Sequence, residues 1–236
     1  MQKNNDSKEN SPDWLAPFRE KNEKAFLAGS RENPEELASA GRIFLEFVRG
    51  FKALGPLGPC VTVFGSARFP EENRHYKLGR ELGKRLAEEG FTVMTGGGPG
   101  IMEAANRGAK EAGGLSIGCN IGLPREQKLN PYLDRFVEFE HFFVRKVMLV
   151  KYSQAFVVLP GGFGTLDEVF ETLTLMQTNK IESFPIVAMG AEFWGRLRKF
   201  ILDTLVAEGT INAADLDLIH ITDSVDETVA IIRRRV

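Results

Sequence analysis

The fold of this chain is decided by the stretch Pro160-Gly161-Gly162-Phe163-Gly164-Thr165-Leu166-Asp167-Glu168, in which a strand, a glycine turn and a helix meet. The apolar run 155–159 precedes it, and apolar residues at helical spacing follow it. Glycines let backbone N–H groups approach a ligand closely, and a helix N-terminus favours negative charge. The stretch therefore predicts a site for an anion such as phosphate, with the carboxylate of Glu168 one turn into the helix.

Two familiar nucleotide loops are excluded by the spacing of these glycines. The stretch has no Gly-Lys-Ser/Thr ending, so it lacks the lysine and the Mg²⁺ ligand of a P-loop. It is not G-x-G-x-x-G, and neither is Gly65-Ser66-Ala67-Arg68, which stands where a dinucleotide fold carries that fingerprint. In a dinucleotide-binding fold an acidic residue about twenty positions after the glycine turn binds the ribose. Glu88 and Glu89 stand at about that separation from Gly65, but they end a helix, whereas the ribose ligand ends a strand. These features disfavour a nicotinamide-dependent dehydrogenase.

The rest of the chain alternates between apolar strands and amphipathic helices. Strands are predicted at 60–64, 91–94, 115–121, 135–139, 155–159, 185–189 and 218–221, and helices at 33–54, 74–89, 101–112, 142–152, 163–177, 192–207 and 224–235. Continuous apolar strands that alternate with helices are typical of a parallel sheet covered on both faces. We therefore predict a three-layer α/β fold with a Rossmann-like parallel sheet.

The domain organisation follows from where this alternation begins. Residues 1–32 are polar and charged, with Trp14, Phe18 and Phe26 as isolated apolar anchors, and we predict a mobile N-terminal extension. Residues 33–236 are predicted to form one nucleotide-binding domain.

Composition limits the possible partners. A formal net charge of −2 gives no electrostatic reason to expect nucleic acid or a membrane surface as a partner. No apolar run approaches the roughly 20 residues of a membrane span, and the first residues lack the apolar core of a signal peptide. Cys60 and Cys119 lie in apolar runs and are predicted to be reduced core residues. We expect a cytoplasmic protein.

Three turns are expected at the carboxyl edge of the sheet, where ligands bind in such folds: Gly65-Ser66, 96–100 and 160–165. Each turn could also be only a tight connection from strand to helix. Glu168 stands at capping-box spacing from Thr165, and Glu103 could simply compensate a helix dipole. Arg145 could be a solvated charge beside Lys146, and His75, His141 and His220 show no spacing of metal ligands. The residues alone leave these alternatives open.

The two glycine loops together resemble the LOG (LONELY GUY) family. The resemblance rests on Gly96-Gly97-Gly98-Pro99-Gly100-Ile101-Met102-Glu103-Ala104-Ala105-Asn106 and on 160–168, with Arg145-Lys146 between them and Gln177 after them. It covers about Val61 to Trp194. Members of that family are cytokinin riboside 5′-monophosphate phosphoribohydrolases, which were long labelled lysine decarboxylases. The resemblance implies hydrolysis of the N-glycosidic bond of a cytokinin-type or adenine nucleoside 5′-monophosphate, giving free base and ribose 5-phosphate.

By motif position, the resemblance also implies site residues. Arg145 and Glu168 match the catalytic pair. The substrate-binding residues that it implies are Ser66, Gly97, Gly98, Glu103, Lys146, Gly161, Gly162, Gly164 and Thr165. It implies no metal, no cofactor, and a homodimer or larger homo-oligomer whose sites lie near a subunit interface. The chain departs from the family at Phe143, where many members carry a histidine.

Breaking a ribosyl C–N bond builds positive charge on the sugar, and an ionised Glu168 could stabilise that charge or orient the attacking water. Arg145 could hold Glu168 in place or bind the phosphate or the leaving base. One alternative is a protein that binds or senses nucleotides in the same crevice without hydrolysis. Another is the lysine decarboxylase of the older label, but no lysine stands in a recognisable setting for pyridoxal phosphate.

Overall fold

The structure is a computed structural model that describes residues 23–27, 29, 33–122 and 128–234. Its strands are β1 (Cys60–Phe64), β2 (Thr92–Thr95), β3 (Ser116–Ile121), β4 (Arg135–Phe139), β5 (Ala155–Val158), β6 (Ile186–Met189) and β7 (Ile219–Thr222). Its α-helices are α1 (Glu23–Phe26), α2 (Asn33–Leu54), α3 (Arg74–Glu88), α4 (Ile101–Glu111), α5 (Phe142–Lys151), α6 (Phe163–Gln177), α7 (Ala191–Phe200) and α8 (Val225–Arg233).

All seven strands form one parallel sheet in the order β4-β3-β2-β1-β5-β6-β7. The chain winds outward from β1 to β4, returns to place β5 on the other side of β1, and continues outward to β7. The strand order thus reverses between β1 and β5, and such a switch point opens a crevice beyond the carboxyl ends of the strands. The predicted Rossmann-like α/β fold is confirmed.

Successive strand residues point to opposite faces of the sheet, so each face builds its own core. In β1, Val61 and Val63 pack under α3, α4 and α8, whereas Cys60 and Phe64 pack under α2, α5, α6 and α7. Both faces are therefore covered, which explains why the strands are apolar on both sides. Cys60 and Cys119 are free and buried, and burial raises the pKa of the Cys119 thiol to about 12.

Element boundaries differ from the predictions in the last third of the chain. The helix predicted at 192–207 ends as α7 at Phe200 and continues as a π-helix, Ile201–Val206. A short 3₁₀-helix, Ala213–Leu218, precedes β7 and was not predicted. The spacing of apolar residues does not distinguish a π-turn from an α-turn, and a 3₁₀-helix of this length is too short to show a period.

Most of the predicted N-terminal extension lies outside the described residues, including Trp14 and Phe18. Within it, α1 is described, and its Phe26 ring lies 5.7 Å from the His141 ring and 6.2 Å from the Phe143 ring, centroid to centroid. In the part of the chain that the structure describes, no helix combines the length and the apolar character needed to cross a membrane.

Helices α3 and α4 approach each other so closely that glycine is required at the contact. A Cβ added at Gly108 would lie 1.9 Å from the Arg80 carbonyl oxygen, and one added at Gly83 would lie 2.1 Å from that of Ala105. Backbone atoms cannot move aside as the end of a flexible side chain can. This contact fixes α4, and with it the loop that leads into α4.

We expect Gly108→Ala to lower the free energy of unfolding by about 3 kcal/mol, because the helices must separate to admit the methyl group. Gly195→Ala on α7 is the matched control, since nothing lies within 4 Å of its added Cβ. That variant should gain up to about 1 kcal/mol from helix propensity. Urea unfolding of both variants measures the difference, and equal stabilities would contradict the close contact.

Candidate active site

A crevice of about 760 Å³ lies at the switch point between β1 and β5. Its walls come from the loop after β1, the loop after β5, the first turns of α6 and the guanidinium-bearing side of α5. Of the residues predicted to form the site, those that line it are Ser66, Arg145, Gly161, Gly162, Gly164, Thr165 and Glu168. Residues that are far apart in the chain thus meet at one edge of the sheet.

The backbone of Ser66 joins the loops around the crevice. Its N–H donates to the Pro160 carbonyl oxygen at 3.0 Å, and its own carbonyl oxygen accepts from the Ile101 N–H at 3.0 Å. Gly100 lies against this carbonyl with φ +68°, and an added Cβ there would lie 2.3 Å from the oxygen. The loop after β1 is therefore held between the two glycine loops.

The glycine loop after β5 leads directly into the N-terminus of α6. Gly162 is the N-cap of that helix and, being glycine, has no side chain with which to cap it. An added Cβ at Gly161 would lie 2.1 Å from Thr165 Oγ1, so Thr165 can pack against the loop only because residue 161 is glycine. A helix N-terminus that faces a crevice offers backbone N–H groups and a positive dipole end to an anion.

Glu168 lies on the buried side of α6, with only 4% of its side chain exposed. Its Oε2 atom is buried and has no hydrogen-bond partner in the described structure. Burial raises the pKa of Glu168 to about 7, although the charges of Arg145 and Lys146 act in the opposite direction. The capping-box alternative does not hold, because the helix is capped by Gly162 and not by Thr165.

Arg145 reaches the crevice from α5. Its Nε donates to the Cys119 carbonyl oxygen at 2.9 Å, which ties the guanidinium to the carboxyl half of β3. An added Cβ at Gly96 would lie 2.5 Å from Arg145 Nη2 and 2.7 Å from Met102 Sδ. The glycine loop after β2 thus makes room for the guanidinium, and the alternative of a solvated surface charge is wrong.

Gly97 and Gly98 do not line the crevice; their backbone bonds shape the loop behind it. The Gly97 N–H donates to Thr95 Oγ1 at 2.9 Å, and its carbonyl oxygen accepts from the Asn130 N–H at 2.9 Å. Gly98 accepts from Asn130 Nδ2 at 3.1 Å. Asn106, fully buried, accepts from Thr95 Oγ1 at 2.6 Å and from Asn130 Nδ2 at 3.0 Å. This buried network fixes the loop.

Glu103 and Lys146 also lie outside the crevice lining. Glu103 accepts a hydrogen bond of 2.9 Å from the Tyr76 hydroxyl. Lys146 forms ion pairs with Glu171 at 2.7 Å and with Asp167 at 3.2 Å, which link α5 to α6. Burial opposes the charge of Lys146, but hydrogen bonds to these two carboxylates outweigh it and raise the pKa of Lys146.

Sequence reasoning missed the aromatic wall of the crevice. Phe142, Phe163 and Phe193 line it, and Phe163 is 92% exposed although it lies between two loop glycines. A large apolar residue inside a glycine loop was the available signal for Phe163. Phe142 and Phe193 carried no such signal, because each stands beside another aromatic residue at the start of an amphipathic helix, where an apolar side chain is expected to belong to the core.

The setting of Glu168 predicts a pH-dependent stability. Below about pH 4.5 the Glu168 carboxyl is protonated in both the folded and the unfolded protein. Between about pH 4.5 and 7 it ionises in the unfolded chain but stays protonated in the folded one. The free energy of unfolding therefore falls as pH rises, until Glu168 also ionises in the folded protein at about pH 7. Glu168→Gln, which stays neutral, should therefore be more stable than wild type at pH 8 by about 3 kcal/mol, and by far less at pH 4.5.

Urea unfolding at the two pH values measures this difference. Glu171→Gln is the control, because Glu171 is paired with Lys146 and its removal should bring no gain at pH 8. A stability difference that is the same at both pH values would contradict the raised pKa of Glu168.

The crevice does not fit pyridoxal phosphate chemistry. A decarboxylase of that kind holds its cofactor as a Schiff base on a lysine amine. Among the described residues that line the crevice, none is a lysine, and the neighbouring Lys146 is paired with two carboxylates.

Comparison with known proteins places the chain among relatives. It is 35% identical over 136 residues to the cytokinin riboside 5′-monophosphate phosphoribohydrolase LOG of Oryza sativa subsp. japonica, covering 56% of this chain and 54% of the rice protein. It is 29% identical over 174 residues to the cytokinin riboside 5′-monophosphate phosphoribohydrolase of Mycobacterium tuberculosis, covering 72% of this chain and 90% of that protein.

A solved structure shares the fold. The molybdenum cofactor carrier protein of Chlamydomonas reinhardtii superimposes with a TM-score of 0.54 at 26% identity, over 75% of this chain and 96% of that one. A family model described as "Possible lysine decarboxylase" matches residues 102–232, more than half of the chain. The chain therefore belongs to the LOG family, to which that model corresponds.

Proposed function

We propose that this protein hydrolyses the N-glycosidic bond of nucleoside 5′-monophosphates that carry an adenine-type base, giving the free base and ribose 5-phosphate. The observation that carries the proposal is Glu168, a buried carboxylate with one oxygen that no described residue bonds, in a crevice that also holds a helix N-terminus whose N-cap is a glycine. The rice and mycobacterial relatives named above support the same reaction class.

In this proposal the 5′-phosphate binds at the start of α6, against the N–H groups of the loop and Thr165. Phosphate is the anion that such a site prefers, and its binding positions the rest of the substrate. Glu168 lies one to two turns further along the same helix, so the ribose reaches it. Binding of the phosphate thus positions the N-glycosidic bond for cleavage.

Ionised Glu168 then stabilises the positive charge that grows on the ribose as the C–N bond breaks, and it orients or deprotonates the attacking water. Arg145, fixed by Cys119, lowers the pKa of Glu168 and offers donors to the phosphate or the leaving base. The aromatic wall of Phe142, Phe163 and Phe193 supplies apolar surface for the base.

The proposal extends to a homodimer or larger assembly in which a second copy covers the mouth of the crevice. Phe163 is almost fully exposed, and Phe142 and Val147 are each more than 40% exposed on the adjacent helix. Clustered apolar surface of this kind is commonly covered by a partner.

A second candidate function is binding without hydrolysis, as in a carrier. The observation that favours it is the shared fold with the molybdenum cofactor carrier protein. Turnover of AMP separates the two candidates, because a carrier would bind the nucleotide and release no base.

We expect wild type to release free base from AMP or its N6-isopentenyl derivative and to release none from the corresponding riboside, which lacks the phosphate. Glu168→Gln should lower kcat at least about 1,000-fold and keep the Kd for AMP within a few-fold, because only stabilisation of the transition state is lost. Chromatography of the released base and calorimetry of AMP binding measure these quantities.

Glu171→Gln is the matched control for this test, since it removes the same charge from the same helix outside the crevice lining. It should retain at least half of the wild-type kcat. Full activity in Glu168→Gln would refute the assigned role of Glu168.

We further expect kcat/KM to rise with pH through about 7 and then level off, because the raised pKa keeps Glu168 protonated below that value. Lys146→Met should move the rising part of this pH profile to higher pH. The substitution removes a positive charge that lowers the pKa of Glu168, and it leaves Asp167 and Glu171, which raise it, without their cation.

Parallel pH profiles of wild type and Lys146→Met check this expectation. The substrate phosphate also titrates near pH 6, but it does so equally for both proteins and cancels in the comparison. If the rising part of the Lys146→Met profile stayed in place or moved to lower pH, the assignment of the profile to Glu168 would be contradicted.

A further inference from the structure

We propose that Glu46, on the long N-terminal helix α2, is a positioning residue for Arg145. This inference rests on the proposed function, because it concerns the residue that we assign beside Glu168. Glu46 and α2 lie before residues 102–232, the part of the chain that matches the family model. The support that they give to the site is therefore outside that match.

Glu46 is a buried carboxylate, and its hydrogen-bond partners among the residues that the structure describes lie at the start of α5. Only 5% of its side chain is exposed. Its Oε1 accepts from the Glu140 N–H at 2.6 Å and from the His141 N–H at 3.1 Å, and its Oε2 lies 2.6 Å from His141 Nδ1. These bonds offset the cost of burying the carboxylate, and they hold the backbone of Glu140 and His141 against α2.

The start of α5 depends on this contact because it lacks the usual cap. His141 is the N-cap residue, and its side chain makes no cap hydrogen bond; it is 2% exposed and turned toward Glu46. The next free donor, the Phe142 N–H, lies 3.3 Å from both carboxylate oxygens of Glu23 in α1. Carboxylates from two N-terminal helices thus satisfy the N–H groups and the positive end of the α5 dipole.

Aromatic packing reinforces the same end of the helix. The Phe26 ring of α1 meets the His141 ring edge-on, and the His141 and Phe143 ring centroids lie 5.3 Å apart. His141 is therefore held by the Glu46 carboxylate on one side and by two aromatic rings on others. Phe143 is part of this packing.

One helical turn connects this anchor to Arg145. The Arg145 N–H donates to the His141 carbonyl oxygen at 3.2 Å, so a displacement of His141 moves the backbone of Arg145. The guanidinium has little freedom to compensate, because Nε is bonded to the Cys119 carbonyl oxygen and Nη2 lies in the space left by Gly96. Release of Glu46 should therefore misplace the guanidinium while leaving the anion loop of α6 unchanged.

The test compares Glu46→Ala with Glu46→Gln in AMP hydrolysis. We expect Glu46→Ala to lower kcat by about 10- to 100-fold, the loss typical of a misplaced catalytic group, and to weaken AMP binding by a much smaller factor, because the loop at the start of α6 still binds the phosphate. Glu46→Gln should restore most of kcat, because its amide oxygen still accepts from the two backbone N–H groups.

Arg49→Ala is the matched control. Arg49 lies one turn further along α2 and donates to the Glu138 carbonyl oxygen at 2.7 Å, so its loss loosens the same helix without touching the start of α5. It should leave kcat unchanged. An unchanged kcat in Glu46→Ala, or an equal loss in Arg49→Ala, would overturn the positioning role.

A double-mutant cycle shows whether Glu46 acts through Arg145. In an Arg145→Ala background, Glu46→Ala should cause no further loss of the residual turnover, whereas independent effects would multiply and contradict the proposal. Should Glu46→Ala fail to fold, His141→Ala takes its place in the cycle, because it removes the 2.6 Å contact, supplies no cap of its own and leaves the backbone bonds of Glu46.

A readout without turnover separates this inference from the proposed function. The Arg145 Nε–H bond to Cys119 predicts a protected Nε–H signal in the nitrogen-correlated NMR spectrum of arginine-labelled protein. The signal should shift and lose its protection in Glu46→Ala and persist in Arg49→Ala. If wild type released no base from any nucleoside monophosphate, the proposed function would fail, and this signal would still decide the role of Glu46.

Discussion

The candidate site depends on the two backbone hydrogen bonds of Ser66. They join the glycine loop after β5 to the start of α4, across the end of β1, at the place where the strand order reverses. Backbone bonds of this kind require close approach, and Gly100 supplies it by lacking a side chain. The close contact of α3 with α4 then holds that loop from behind. The shape of the crevice thus follows from backbone packing, and the side chains that line it project from this backbone frame.

Within that frame, Glu168 experiences opposing forces. Burial favours its protonated form, whereas Arg145 and Lys146 favour the carboxylate, and the balance leaves its pKa near neutrality. A fully paired carboxylate would be more stable but would be occupied by its partner. None of the described residues bonds Oε2 of Glu168, and buried polar atoms with unused bonding capacity are common where chemistry takes place.

The sheet, its helices and the position of both glycine loops could be predicted from sequence, because apolar periodicity and glycine spacing are local signals. Arg145 and Glu168 were identified through the resemblance; their burial and their neighbours could not be inferred, since these depend on how α5 and α6 pack. Gly97 and Gly98 were assigned to the substrate, whereas their carbonyl groups bind Asn130, more than thirty positions along the chain. Glu46 gave no signal, because a glutamate in an amphipathic helix is ordinarily solvated.

The space beside Gly96 has an evolutionary consequence. Any side chain at this position would meet the Arg145 guanidinium and the Met102 sulfur, yet it would leave the anion loop of α6 and the Ser66 bonds untouched. On the proposed function, one substitution could therefore remove bond cleavage and retain the grip on the phosphate. On the proposed function, a protein that binds nucleotides without cleaving them could thus arise from a hydrolase of this fold by a single mutational step at Gly96.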